Sequence, residues 1–249
     1  MKAWAAFLAV SLLCFGVMPF VRAHPNLEDY RPDYFEAGQE SKGSVDLFKI
    51  ILIFTFASVI LKLIGFKLEY LIDVSVFSVG YFFGSLFGVG VPLALVLLSY
   101  RKSENILLYN LSSILTIVSF SSLIAPFVTP DAAMLLLALL SLYDVLGVLY
   151  LPVIQFLWLK IENSSREFTK RHKKLARGVA ILTDDGAIGA GDFALPVLFA
   201  LSFGNRGFFA LPLLFLGFWL THRFAKVFRT FPGLPLQAFF GSLAYFILG

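Results

Sequence analysis

Residues 131–158, DAAMLLLALLSLYDVLGVLYLPVIQFLW, decide the fold class of this chain. Apart from Asp131 at its first position, the run holds one charged side chain, Asp144, which stands 13 residues from the start and 14 from the end. The run is longer than the roughly 20 residues that an α-helix needs to cross the hydrocarbon core of a bilayer. Because lipid offers no hydrogen-bond partners, a segment in the core must satisfy its own backbone amides, and a helix does so. The run therefore predicts a transmembrane helix with a carboxylate near its middle.

The composition extends this interpretation to the whole chain. Of the 249 residues, 59% are hydrophobic and 14% are charged, and the mean hydropathy is +0.85, whereas soluble domains carry about 25% charged residues. We therefore predict an all-α fold, a polytopic transmembrane helix bundle of nine spans that forms one membrane domain over residues 1–249. The nine apolar segments are 3–20, 46–66, 70–84, 86–99, 106–125, 131–158, 180–203, 207–221 and 234–248.

The third and fourth segments are separated by a glycine-rich stretch. A continuous helix from Tyr70 to Tyr100 would be about 46 Å long, well beyond a hydrocarbon core of about 30 Å. The glycines between Gly84 and Gly90 offer a place where such a helix can break. The sequence therefore predicts two short or re-entrant spans here.

The first segment admits two interpretations. Lys2 precedes an apolar run, and Val21-Arg22-Ala23 loosely fits the cleavage site of a secretory signal peptide. The apolar run is, however, longer than the usual 7–15 or so residues of a signal. We expect a retained helix and leave the signal peptide as the alternative.

The lysines and arginines predict the orientation. If the N-terminus is inside, 15 of the 20 basic residues lie in inside loops or at inside helix ends, and five lie outside. The positive-inside rule then places the N-terminus in the cytoplasm and the C-terminus outside, in a multi-pass protein of the cell membrane. Spans one to five occupy residues 1–130, spans six and seven occupy 131–203 with a basic loop at 160–178, and the last two spans occupy 207–249. We expect the bilayer, and no nucleic acid, to be the partner of the basic residues.

Asp144 and Asp192 are the two charged residues that a plain helix bundle does not explain. Asp192 follows Gly-Ala-Gly at 189–191 within segment 180–203, and neither aspartate has a basic neighbour in the sequence. An aspartate at the centre of a span costs at least about 2.5–3.5 kcal/mol, so two of them on successive spans predict a function. If the two carboxyl groups meet, they cannot both ionise and would share one proton. In that arrangement one carboxylate takes a proton from water while the other protonates a carbonyl oxygen.

Two further features flank this pair. The sequence Pro-Gly-Leu-Pro at 232–235 opens the last segment and cannot form ordinary helix, so it leaves backbone groups unpaired. Asp184 and Asp185 precede the apolar part of their segment. We predict that they are acidic residues at a helix start, where they favour the macrodipole.

These motifs, in this order, resemble those of the presenilin family of intramembrane aspartyl proteases. That family carries Tyr-Asp in its sixth span, Gly-x-Gly-Asp in its seventh and Pro-Ala-Leu-Pro at the start of its ninth. The matching residues here are Tyr143-Asp144, Gly189-Ala190-Gly191-Asp192 and Pro232-Gly233-Leu234-Pro235, in the sixth, seventh and ninth predicted spans. Gly233 departs from the family's alanine, a change that is conservative in size.

The resemblance implies hydrolysis of peptide bonds within transmembrane helices, with Asp144 and Asp192 as catalytic residues. It further implies an active-site motif of Tyr143, Gly189 and Gly191, substrate binding by Pro232, Gly233, Leu234 and Pro235, and no metal or cofactor. The loop between the sixth and seventh spans, 160–187, is short for the family, so autoproteolytic activation is not expected. The chain looks like the compact microbial homologues, for which partner subunits are not required and an oligomer is possible.

A proton-coupled transporter or channel remains the alternative, because carboxylates within spans also form proton relays. The lack of a detectable inverted repeat counts against it. Other intramembrane protease classes fit less well, since the three histidines lie in loops or at a span end and no His-Glu-x-x-His zinc motif is present.

Overall fold

The structure is a computed structural model that describes residues 1–25, 68–149, 179–184, 186–228 and 231–248. Within these residues the chain forms a helix bundle with one small hairpin. The helices are α1 (Ala3–Arg22), α2 (Leu68–Ser85), α3 (Gly90–Arg101), α4 (Ile106–Ile124), α5 (Pro130–Leu149), α6 (Gly191–Ser202), α7 (Leu211–Phe228) and α8 (Leu234–Leu248). Strands β1 (Ala180–Thr183) and β2 (Gly186–Gly189) precede α6, and short 3₁₀ helices cover Ala125–Phe127 and Gly204–Ala210. The predicted second span, 46–66, and the basic loop, 160–178, lie outside the described residues.

The break predicted between the third and fourth segments is present. Helix α2 ends at Ser85 and α3 begins at Gly90. Gly88 adopts a φ of 71°, in the left-handed region that a side chain with a Cβ disfavours. The Val89 N–H donates to the Gly84 carbonyl at 2.8 Å, which satisfies a group at the end of α2. The chain therefore reverses here and forms two packed antiparallel helices.

The prediction of one helical segment over 180–203 is wrong in its first half. Residues 180–189 form an antiparallel hairpin in which Ala180 pairs with Gly189 and Thr183 with Gly186, and helix begins only at Gly191. Isoleucine and threonine in the strands and glycine beside the turn favour this local structure. The predicted class, a bundle of membrane helices, is confirmed, with this hairpin as an addition.

The prediction that Asp184 is an acidic residue at a helix start is also wrong. Asp184 lies in the turn of the hairpin, where its Oδ1 atom accepts a hydrogen bond from the Met1 amino group at 2.9 Å. Its own N–H donates to the Met1 carbonyl at 3.1 Å. The two bonds attach the start of α1 to the turn. Asp185 lies outside the described residues.

Helix α1 is part of the core of the bundle. Phe7 is completely buried, and its ring centroid lies 6.4 Å from that of Phe193 on α6 and 4.9 Å from that of Phe218 on α7. At its other end the Arg22 guanidinium donates to the Leu201 carbonyl near the end of α6, at 3.1 Å. Helix α1 therefore runs from the hairpin turn to the end of α6, in the same direction as α6, and the retained helix stays a prediction.

The lengths and composition of the helices fit a membrane protein. Among the described residues, three helical stretches are long and apolar enough to cross a bilayer, namely Ala3–Arg22, Ile106–Phe127 and Gly204–Ala225. Shorter apolar helices fill the space between them, including α3, α6 and α8. The predicted span 207–221 begins as a 3₁₀ helix, and its α-helix extends to Phe228. The count of nine spans stays a prediction.

The turn at Gly88 can be tested by adding a single Cβ. A Cβ at Gly88 would meet no atom within 4 Å, so Gly88→Ala tests backbone strain alone and is expected to lower the free energy of unfolding by about 1 kcal/mol. Gly16→Ala is the matched control, because Gly16 lies inside α1 with equal space around it, and is expected to raise the free energy of unfolding by about 0.5–1 kcal/mol. Thermal unfolding in detergent checks both signs, and equal effects would contradict the positive φ.

Candidate active site

The hairpin determines the depth of Asp192. Helix α1 has 20 residues and is about 30 Å long. Over the same distance the chain on α6's side uses a hairpin whose strands have four residues each, followed by a 12-residue helix. These lengths correspond to about 13 Å and about 18 Å. Asp192 stands in the first turn of α6, so it lies where the hairpin joins the helix, about one strand length from the hairpin turn. It is thus a helix-start residue, but one held inside the bundle.

Phe193 holds the start of α6 in place. Its side chain is completely buried, and its ring centroid lies 5.3 Å from that of Phe218 on α7. With Phe7 of α1 the three rings form one cluster. Aromatic pairs at these distances add to the burial energy, so the residue next to Asp192 is held by two other helices.

Asp144 faces the start of α8. It is the fifteenth residue of the 20 in α5 and is partly buried. Its Oδ2 atom accepts a hydrogen bond from the Leu234 backbone N–H at 3.0 Å, and the Gly233 amide also interacts with this carboxylate. Gly233, just before α8, and Leu234, its first residue, therefore supply backbone donors to this carboxylate.

Asp192 approaches the same backbone from α6. A Cβ added to Gly233 would overlap the Oδ1 atom of Asp192 and lie 2.9 Å from its Cγ. Asp192 also lies within electrostatic reach of Asp144. The two aspartates, from different helices, therefore converge on the consecutive residues Gly233 and Leu234.

The other predicted site residues lie around this point at different distances. A Cβ at Gly189 would lie 3.8 Å from Oδ2 of Asp192, whereas a Cβ at Gly191 would meet nothing within 4 Å. Pro232 is buried and Pro235 is partly buried beside Gly233 and Leu234, and Tyr143 is partly buried next to Asp144 in α5. Of the predicted motifs, Pro-Gly-Leu-Pro at 232–235 thus lies nearest to both carboxylates.

Sequence reasoning missed two polar side chains at the site. The Gly233 carbonyl accepts hydrogen bonds from Oγ1 of Thr221 on α7, at 3.1 Å, and from Nε2 of Gln237 on α8, at 3.3 Å. Gln237 is completely buried. An amide in the apolar segment 234–248 was a signal that could have identified it, because buried polar groups usually have a specific partner.

Sequence reasoning also missed Asn110. Its side chain is buried in α4, where Nδ2 donates to the Leu182 carbonyl at 2.7 Å and Oδ1 accepts from the Leu182 N–H at 2.7 Å. These bonds occupy both polar groups of one β1 residue. Asn110 therefore fastens the hairpin to α4, as Met1 fastens its turn to α1.

Replacing Asn110 by leucine should loosen the hairpin. The change leaves the backbone of Leu182 without two buried hydrogen bonds and is expected to cost about 1–3 kcal/mol of stability. Amides of residues 180–189 should exchange with deuterium faster, which mass spectrometry measures. Thr116→Val is the control, because Thr116 is buried in the same helix but donates only to the Ser112 carbonyl of that helix. Unchanged exchange in the hairpin of the Asn110 variant would contradict the attachment.

Replacing Gly233 by alanine, the residue that the resemblance leads one to expect, tests the convergence directly. The change is conservative in size, but the new Cβ would occupy the position of the Asp192 carboxylate. Because the Asp192 side chain can rotate away from the new methyl group, we expect only a small change in the thermal midpoint. Since the carboxylate is then displaced, we also expect a change in any activity that depends on Asp192. Gly16→Ala, far along α1, is the control for adding a methyl group. Equal effects of the two changes would show that Gly233 is not in contact with the carboxylate.

Comparison with known proteins agrees with this architecture. No protein-family model matches the chain, and none of the curated proteins matches it. Two solved structures, both described as a presenilin family intramembrane aspartate protease and crystallised in C222 and P2 space groups, match with TM-scores of 0.68 and 0.64. The first is 13% identical over 98% of this chain and 96% of that chain, and the second is 14% identical over 98% and 94%. The predicted resemblance is thus confirmed in fold: this integral membrane protein is similar in architecture, over nearly its whole length, to presenilin family intramembrane aspartate proteases.

Proposed function

We propose that this protein is an intramembrane aspartyl protease that hydrolyses peptide bonds within transmembrane helices, with Asp144 and Asp192 as its catalytic pair. The observation that carries the proposal is the convergence of both carboxylates on Gly233 and Leu234. A bundle that needed only to be stable would not place two acids from separate helices beside each other, because each costs free energy in this environment.

The chemistry follows from the proximity of the two acids. Two carboxyl groups in a poorly solvated site share one proton, because both cannot be charged at short range. The charged member removes a proton from a water molecule, which then attacks the carbonyl carbon of the substrate. The protonated member donates to the carbonyl oxygen, so that charge does not build up there. When the resulting gem-diol collapses, the C–N bond breaks and the leaving amine takes the proton that the first carboxylate removed from water. A hydroxyl of the gem-diol returns its proton to the other carboxylate, so the pair again holds one proton.

The substrate has to be extended at the site. In a helix each peptide carbonyl is hydrogen-bonded and shielded, so a few residues must unwind before water can attack. Within the described residues β2 pairs with β1 alone, and β2 ends at Gly189, three residues before Asp192. An unwound segment of substrate can add to the edge of β2, with main-chain hydrogen bonds replacing those of its helix. The non-helical backbone at 231–233, just before α8, offers further partners on the other side.

The proposal includes the setting in which the enzyme acts. Substrates are transmembrane helices that reach the site from the bilayer, and the reaction uses no metal or cofactor. We expect the chain to act in the cell membrane, with its N-terminus in the cytoplasm and its C-terminus outside, and without partner subunits.

The pair is tested by Asp144→Asn and Asp192→Asn. Each change removes a carboxylate while keeping its shape, and each is expected to lower cleavage at least about 100-fold, the lower end of what a general acid or base contributes. Purified protein is incubated with a single-pass polyleucine helix interrupted by two glycines, and the products are read by mass spectrometry. Retained cleavage in either variant would refute the pair.

Asp131→Asn is the matched control for this test. Asp131 stands at the start of the same helix as Asp144 and accepts a hydrogen bond from Tyr245 at the far end of α8. Its replacement should leave the rate within about twofold, as is usual for exposed substitutions. A hydroxyl-bearing mimic of the tetrahedral species should raise the thermal midpoint of the wild type and of Asp131→Asn. The absence of any shift would count against an aspartyl protease site.

A further inference from the structure

We infer that Thr221 and Gln237 are positioning residues that hold the Gly233–Leu234 peptide group between the two aspartates. The inference rests on the proposed function, because it assigns these residues a role in the same site. Neither residue needs to touch the substrate, and neither was singled out by the sequence. They act through one backbone peptide group. Its orientation determines whether the Leu234 N–H faces Asp144 and the Gly233 Cα lies against Asp192.

The geometry concerns a single planar group. The carbonyl of this peptide belongs to Gly233 and accepts from Thr221 Oγ1 at 3.1 Å and from Gln237 Nε2 at 3.3 Å. The N–H of the same peptide belongs to Leu234 and donates to Asp144 Oδ2 at 3.0 Å. No cis peptide bond occurs among the described residues, so the carbonyl and the N–H point in opposite directions from one rigid plane. Fixing the carbonyl therefore fixes the donor to Asp144.

The Thr221 hydroxyl reaches another segment of the chain, as does that of Ser112, which donates from α4 to the Leu97 carbonyl on α3. The hydroxyl groups of Ser85, Thr116 and Ser242 donate to the carbonyl four residues earlier in their own helices, which is the usual local bond for serine and threonine. Thr221 instead reaches from α7 across to the segment before α8. It lies one turn from Phe218, whose ring packs on Phe193 beside Asp192. Helix α7 therefore connects the peptide group to the start of α6.

Gln237 contributes an observation of its own. Because the Gly233 carbonyl can only accept, the amide nitrogen of Gln237 must face it. The Oε1 atom then points away and has no hydrogen-bond partner among the described residues, although the side chain is completely buried. A leucine would fill this position without an unpaired acceptor, and unpaired buried acceptors are costly. The hydrogen bond from Nε2 to the Gly233 carbonyl therefore explains why glutamine, and not leucine, occupies this buried position.

Two donors on one carbonyl also affect the other end of the peptide. Hydrogen bonds in a chain polarise one another, so donation to the Gly233 carbonyl makes the Leu234 N–H a better donor to Asp144. The same bonds keep the Gly233 Cα against the Asp192 carboxylate, which a Cβ at this position would displace. The peptide thus acts as a spacer and donor for the pair, and Thr221 and Gln237 set its orientation.

The kinetic test uses Thr221→Val, which keeps the shape of the side chain and removes the hydroxyl. We expect kcat on the polyleucine peptide to fall roughly five- to tenfold, which corresponds to one hydrogen bond, with KM changed less than about twofold. Thr221→Ser should restore kcat, because it restores the donor. Thr116→Val is the matched control: it removes a buried hydroxyl bond from α4 and should leave kcat unchanged.

Gln237→Leu should lower kcat as Thr221→Val does, and the double variant should lose less than the product of the two, since both bonds serve one peptide.

A second measurement observes the peptide group without any proteolysis. Gly233–Leu234 is the only Gly-Leu pair in the sequence. Protein labelled with ¹³C-carbonyl glycine and ¹⁵N-leucine therefore gives one cross-peak in an HNCO spectrum, which reports the Gly233 carbonyl and the Leu234 N–H together. Thr221→Val and Gln237→Leu should move the carbonyl and the amide proton shifts, Asp144→Ala should move the proton most, and Thr116→Val should move neither.

The outcomes separate this inference from the proposed function. Cleavage that requires both aspartates, with Thr221→Val equal to Thr116→Val in kcat and in the cross-peak, would overturn the positioning role and leave the protease standing. A wild type that cleaves nothing would overturn the protease, and the cross-peak then decides separately whether Thr221 and Gln237 hold the peptide group. A loss of kcat that is matched by an equal loss in thermal midpoint, with the cross-peak unmoved, would make Thr221 a residue of the fold alone.

Discussion

The hydrogen bond from the Leu234 N–H to the Asp144 carboxylate, with Gly233 pressed against Asp192, is the contact on which the arrangement of this molecule depends. In a lipid environment neither a carboxylate nor an unpaired backbone amide is stable alone. Pro232 precedes α8 and Pro235 is its second residue, so ordinary helix does not extend back through this segment and backbone groups are released. Two acids occupy the space beside these groups. Each feature would be a defect by itself. Together, the free backbone N–H groups donate hydrogen bonds and the carboxylate accepts them, at one point in the bundle.

Much of the surrounding structure serves to hold the hairpin and the start of α6 in place. The hairpin replaces the first part of what would otherwise be a helix, and its strands need partners outside their own pair. Asn110 supplies them at Leu182, and Met1 supplies them at the turn. Phe193 then anchors the helix that follows. Among the described residues β2 pairs with β1 alone, and in the proposed function its other edge receives the unwound substrate. The hairpin that places Asp192 inside the bundle would then also supply this edge.

Local and long-range information contributed differently to these features. The break at 86–89 was predicted because glycine and helix length are local properties, and the structure has it. The helix at 234–248 was predicted to the residue for the same reason, as its prolines mark its start. The hairpin at 180–189 was not predicted, since a short apolar run with glycines is compatible with strand or helix. The hydrogen bonds to the Gly233 carbonyl were not predicted either, because their donors come from two different helices.

By itself the sequence determined that the chain is a bundle of membrane helices and that Asp144 and Asp192 are out of place in it. It also predicted irregular backbone over 232–235, which the structure has at Pro232 and Gly233 only, because Leu234 and Pro235 begin α8. These are consequences of composition and of the solvent, and each can be read within about 20 residues. Only the tertiary structure decided that the two acids converge on one peptide group, because residues 144, 192 and 233 are far apart in the chain. A hydrogen bond between such distant groups forms only when the packing of several helices brings donor and acceptor within about 3 Å, and no local pattern encodes that distance.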